Sequence, residues 1–179
     1  MRSRTFTLYF AFACCALLLG LSALASAAHA QKKDYLSDAE DEQIRDSDTP
    51  ADRIKLFISF AGDRLKKLQY ELAHPGDSLH RADRLNALIN GYAGCIDDAS
   101  DLIELGSDKQ QNIREAVKDM QNHAPGFLSD LKEIEGKGGE AADYKDNLDD
   151  AIDATNDAIR TADDAIKDLA PPPVRRKPS

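Results

Sequence analysis

The sequence has no tryptophan, two methionines and three cysteines, and each scarcity removes a class of protein. Cys14 and Cys15 fall in a leader segment, which leaves Cys95 as the one thiol of the remaining chain. One thiol closes no intramolecular disulfide, so stability must come from packing. Cys95 lies on the apolar stripe of its helix, where cysteine serves as a small hydrophobe; pairing with another chain is the alternative. No C-x-x-C-H occurs, which removes covalently attached haem. Neither G-x-S-x-G, H-E-x-x-H nor a phosphate-binding glycine loop occurs. No stretch alternates apolar and polar residues with period two, so strands are not expected.

What is there begins with a leader. Arg2 and Arg4 precede the uncharged run Leu8 to Ala25, and Ala28-His29-Ala30 follows. Positive start, apolar middle and A-x-A ending are the order of a secretory signal peptide. Cleavage after Ala30 is expected, which directs the chain to the periplasm or out of the cell. An uncleaved anchor is the rival reading, because the apolar run approaches spanning length. A lipid on Cys14 or Cys15 fits less well, since the run continues past both.

The whole chain has a net charge of −9. The leader holds two arginines and no acid, so the remainder carries 21 basic against 32 acidic residues, a net charge of −11. Such a surface repels phosphate backbones and anionic lipid heads, so neither nucleic acid nor membrane is expected as a partner after cleavage. Solubility is the simplest use of that charge.

Four apolar seams follow. In the last, the triplets Asp150-Ala151-Ile152, Asp157-Ala158-Ile159 and Asp164-Ala165-Ile166 recur at a spacing of seven. Leu148, Ile152, Thr155, Ile159, Ala162, Ile166 and Leu169 then form one stripe of a helix from Tyr144 to Leu169. A stripe so narrow on so acidic a helix needs partner helices. The first seam runs Ile54, Ile58, Ala61, Leu65, Leu68, Leu72, widened by Phe57 and Phe60. Thr49 and Pro50 suit its N-cap and first position, and Pro75-Gly76 ends it. The second helix has two adjacent rows, one of Leu85, Leu88, Tyr92, Cys95, Ala99 and Leu102, the other of Ala82, Ile89, Ile96 and Ile103. Gly91 and Gly94 lie inside it, each costing about 1 kcal/mol relative to alanine, so another backbone is expected to approach them closely. Gly106 and Ser107 read as a C′ glycine and a new N-cap, with Gln110 closing a capping box. The third seam is Ile113, Val117, Met120, Ala124, Phe127, Leu131, Ile134. It keeps phase across Pro125-Gly126, which predicts one kinked helix rather than two short ones.

The expected fold is all-α: an up-down-up-down four-helix bundle over about 50–74, 77–105, 108–135 and 140–169. Residues 1–30 precede it as the signal segment. Residues 31–48 form an acidic leader with a short helix from about Asp38, capped by Ser37 and Glu40. The bundle occupies 49–170, and 171–179 form an extended proline- and arginine-rich tail. Residues 50–74 carry a net charge of +2 and 140–169 one of −7, so the first helix is expected beside the fourth.

Chemistry is sparse in this pattern. A di-iron bundle needs two inward E-x-x-H pairs and two more core carboxylates. The chain has one E-x-x-H, Glu71 to His74, and one D-x-x-H, Asp77 to His80. Glu71, His74, Asp77 and His80 flank the Pro75-Gly76 turn and could clip a surface metal; exposed polar residues at a helix end are the plainer reading. Arg53, Arg64, Arg81, Arg84, Arg114 and Arg160 fall off the seams, which counts against a small secreted enzyme that grips an anion inside the bundle. The expectation is a non-enzymatic exported bundle without a cofactor, acting through its surface on an unknown protein partner or on itself through leftover apolar surface such as Phe57 and Phe60. It resembles secreted bacterial helical proteins in general, and no motif singles out a family. N-terminal sequencing of the protein recovered from a secreting host is expected to begin at Gln31; a retained Met1 would establish the anchor instead.

Overall fold

A computed structural model of the chain describes residues 34–76, 79–137 and 143–169. Among them are five α-helices and no strand: α1 (Asp38–Asp46), α2 (Pro50–Ala73), α3 (Arg81–Asp108), α4 (Arg114–Gly136) and α5 (Lys145–Asp168). The four long helices pack as a bundle, and no described helix is long and apolar enough to cross a membrane. The leader peptide, Asp77, Ser78, Gly138, Gly139 and the proline-rich tail lie outside the described residues.

The first two helices start where their capping chemistry puts them. Ser37 accepts from the Glu40 amide, and the Glu40 carboxylate accepts from the Ser37 amide at 2.8 Å, a complete capping box on α1. Thr49 accepts from the Asp52 amide at 3.1 Å, with Pro50 in the first turn of α2.

The boundary between α3 and α4 is not the expected one. Gly106 and Ser107 are helical and buried, and α3 continues to Asp108. A methyl group on Gly106 would stand 2.7 Å from the Ile113 side chain, so this glycine serves packing rather than termination. The turn falls at Gln110, the one non-glycine residue with positive φ (49°) among those described. Gln111 N–H donates to the Gly106 carbonyl at 2.8 Å and Gln110 N–H to the Ser107 carbonyl at 2.9 Å. These bonds make a Schellman ending with glutamine where glycine usually sits. The glutamine side chain accounts for the choice: its amide donates to the carbonyls of Ser107 (3.0 Å) and Asp168 (3.2 Å), tying the end of α3 to the end of α5. Beyond the turn, α4 runs unbroken through Pro125, as its continuous seam implied.

Helix α5 buries Leu148, Thr155, Ala162 and Leu169 of the expected stripe, with alanines more deeply buried than its isoleucines. Ala151, Ala158, Ala162 and Ala165 are buried beside Leu148, Thr155 and Leu169, while Ile152, Ile159 and Ile166 are half-buried at the flanks. Small side chains on the contact line let neighbouring helices approach, and branched ones fill the spaces on either side. Phe57, Phe60 and Cys95 are also buried, so Phe57 and Phe60 leave no apolar surface for self-association.

The expected neighbours change too. α3 packs between α2 and α5, and α4 closes the other side between the same two helices. The first and last long helices therefore lie diagonally across the bundle rather than side by side. The energetics favour this. α3 carries two apolar rows and must cover both, at about 1.5–3 kcal/mol for each large side chain buried. Exposed ion pairs contribute about 0–1 kcal/mol each, too little to impose the +2 beside −7 arrangement. α3 and α5 run parallel. Near their starts Asn147 donates to Asn86 (2.6 Å) and Asn86 to the Asp143 carbonyl (3.0 Å); near their ends lies the Gln110 tie. Arg114, at the start of α4, donates to the Leu169 carbonyl at 2.6 Å and so caps the negative end of α5.

Gln110→Ala keeps the left-handed backbone and loses both amide ties, whereas Gln110→Gly loses the same ties and relieves the backbone. Urea unfolding is expected to place the glycine variant about 1 kcal/mol above the alanine variant. Equal midpoints would show that the turn carries no strain.

Candidate functional site

The turn between α2 and α3 holds the residues singled out as a metal clip, and three of them, Glu71, His74 and His80, are among the described residues. Asp77 lies outside the described residues. Glu71 pairs with Arg84 at 3.2 Å, and its carbonyl accepts from Arg81 at 2.7 Å. His74 Nδ1 donates to the Tyr70 carbonyl at 3.0 Å, and its ring stacks on that of Tyr70 with centroids 4.3 Å apart. His80 Nδ1 faces Asp83 at 3.4 Å. Among the described residues no three His, Cys, Asp or Glu side chains gather as a metal would require.

Among the described residues the buried charged side chain is one the helical spacing had placed off the seam. Arg64 is only 8% exposed, because the segment from Asp34 to Glu40 lies over it. Its Nη1 donates to Glu40 Oε1 (2.9 Å) and the Phe60 carbonyl (3.1 Å); its Nη2 donates to Glu40 Oε2 (3.0 Å) and the Tyr35 carbonyl (2.7 Å). The two-pronged guanidinium–carboxylate contact is the strong form of this interaction. Burial alone would raise the Glu40 pKa; the Arg64 and Ser37 hydrogen bonds outweigh it and hold the carboxyl below its ordinary 4.5.

This cluster explains the two internal glycines of α3, though not as expected. The nearest atoms to both are side chains. A Cβ on Gly91 would meet Arg64 Nε at 2.8 Å, and one on Gly94 would meet the Tyr35 ring at 2.7 Å. The glycines form the trough in which Arg64 and Tyr35 lie. Their position inside a helix flagged a close approach; nothing in the sequence said that Arg64 of the preceding long helix and Tyr35, just before α1, would fill it.

Beside this trough a groove of about 660 Å³ opens between α1, α2 and α3. Tyr35, Ala87 and Leu88 supply apolar wall; Arg64, Lys66, Lys67 and Arg84 supply positive charge. Glu40 and Glu71 are its two carboxylates, and each is already paired with an arginine. Lys67 has no carboxylate partner among the described residues. Tyr70 is exposed at the rim. The groove's one hydroxyl outside its tyrosines, Ser37 Oγ, is engaged with Glu40 at 2.9 Å. A smaller groove of about 350 Å³ lies between α2 and α4, floored by Gly62 and Phe127, with His123 stacked on Phe127.

The bundle centre holds one hydroxyl pair. Thr155 Oγ1 donates to the Ala151 carbonyl at 2.7 Å, so the Tyr92 hydroxyl, 2.7 Å away, must donate to Thr155. Burial raises the Tyr92 pKa despite that bond, and the phenol stays neutral. Each hydroxyl of the pair is occupied by the other or by the Ala151 carbonyl.

Comparison with models of protein families finds no match, and neither the curated proteins nor the solved structures compared with the chain supply one.

The depressed Glu40 pKa sets a pH dependence. A carboxyl lowered in the folded state contributes stability above its unfolded value and loses it as the pH falls through 4.5 and below. Acidification is therefore expected to release the Tyr35 ring from α3 while the bundle stays helical, followed by the Tyr35 NMR shifts. In Glu40→Gln those shifts should already be displaced at neutral pH and show no acid transition.

Proposed function

We propose that this chain is an exported, non-enzymatic helical bundle that works as a binding module, and that the groove between α1, α2 and α3 is its binding face. The helices alternate up-down-up-down, with the last long helix placed diagonally from the first. The leader of Arg2, Arg4, Leu8 to Ala25 and Ala28-His29-Ala30 supports export to the periplasm or beyond. The single observation that carries the binding reading is the convergence of Arg64, Lys66, Lys67 and Arg84 around apolar wall on a chain of net charge −9. Four cations in one concave surface of so acidic a protein run against its composition, and the groove adds no nucleophile paired with a base.

Screening the mature protein against small molecules of varied charge is expected to raise its Tm with ligands that shift the Tyr35 and Leu88 NMR signals, and to leave those ligands chemically unchanged. Turnover of any of them that Tyr92→Phe or Thr155→Val abolishes would establish an enzyme instead.

A further inference from the structure

We propose that the groove takes an amphipathic anion: one carboxylate, or a group of like charge, on an aromatic or alkyl body. This rests on the groove being the binding face and names what occupies it.

Arg64 is the most buried cation in the groove, and it is fully engaged. Both of its terminal nitrogens donate to Glu40, and they also satisfy the carbonyls of Phe60 and Tyr35. It shapes the groove and does not hold the ligand. Lys67 and Arg84 flank the apolar wall and can turn to an incoming charge, with Lys66, 3.5 Å from Asp63, beside them. Lys67 is exposed and has no carboxylate partner among the described residues. Arg84 is 43% exposed and meets Glu71 at 3.2 Å, a contact weak enough in water to be shared with a second acid. The two stand on different helices, α2 and α3. An anionic head held between them leaves its apolar body against Leu88, Ala87 and the flank of Tyr35.

The same geometry sets selectivity. The lining holds four cations against two carboxylates, and Glu40 is gripped by Arg64 through both of its oxygens, so the groove favours an anionic head over a cationic one. The volume of about 660 Å³ lies within the range of about 300–1,000 Å³ for small-molecule sites. Fields are screened beyond about 8 Å at physiological salt, so a small anion feels the local cations, while a polyanion also meets the acidic remainder of the surface. Nucleic acids and anionic bilayers are thereby disfavoured.

The chain has no tryptophan, so fluorescent probes can be read without interference from indole. The experiment titrates the mature protein with anilinonaphthalene sulfonate, an aromatic anion, and with N-phenylnaphthylamine, its neutral counterpart. The sulfonate is expected to bind saturably and to weaken about tenfold or more in the Lys67→Gln, Arg84→Gln double variant. The neutral probe is expected to bind equally to both proteins, and helical melting by circular dichroism should show the double variant folded. Leu88→Glu is expected to abolish binding of both probes. If the double variant binds the sulfonate as tightly as the parent while Leu88→Glu still blocks both probes, the groove binds apolar bodies without regard to charge. That result overturns this inference and leaves the binding face standing. If neither probe binds saturably, or Leu88→Glu leaves binding unchanged, both fall.

Discussion

The width of the apolar face on α3 is the constraint from which the rest of the arrangement follows. A helix with one narrow stripe is satisfied by one groove between two neighbours. α3 buries Leu85, Ile89, Tyr92, Cys95, Ile96, Ala99 and Ile103, a face too broad for that. It therefore packs on α2 on one side and on α5 on the other, and those two helices are kept apart by it. α4 fills the remaining side, with the Phe127 ring against Gly62 of α2 and edge-on to Tyr92 of α3 at 5.9 Å. Tyr92 reaches the middle of the bundle, and Thr155 in the last seam is there to receive its hydroxyl.

Charge follows packing here and does not direct it. With α2 and α5 on opposite corners, the most basic and the most acidic helices do not neutralise one another. On the acidic side, Asp97 is raised in pKa by burial and by the charges of Asp101 and Asp157, a cost the fold accepts because those carboxylates sit on the outer edge of a well-buried α3–α5 contact. On the other side the α2 cations stay available at the surface. The groove owes its charge to this separation.

The short helix α1 is held by a different kind of interaction. Leu36 gives it one buried anchor, and the pairing of Glu40 with Arg64 gives it direction. Glu40 does two jobs with one carboxylate: it closes the capping box on its own helix and grips an arginine of another. Removing a single charged partner from such a site leaves the other stranded, so the arrangement acts as a latch between α1 and the bundle. Gly91 and Gly94 are the complementary half, since any side chain there would lift Arg64 or Tyr35 out of the trough. The groove beside them exists because the latch brings Tyr35 and Ser37 up to α2 and α3.

Local physics wrote much of this into the sequence. Helix existence, the N-caps at Ser37 and Thr49, the end of α2 at Ala73 and the passage of α4 through Pro125 all depend on residues within a turn or two of one another, so they can be read along the chain. Gly106 reads as a terminator along the chain because a buried glycine and a terminating glycine have the same letter; only Ile113 lying on Gly106 distinguishes them. The stripe of α5 shifted from isoleucine to alanine because which of two adjacent rows faces inward depends on how near the neighbours come. The site was least legible of all. Arg64 lies off its helix's seam by spacing and is buried only because a segment 24 residues earlier folds over it. The sequence by itself determined that four apolar stripes would close into a helical bundle, since periodicity is local. Which helices became neighbours, and which cation was buried, were decided by the tertiary structure, because both depend on surfaces that meet only after the chain has folded.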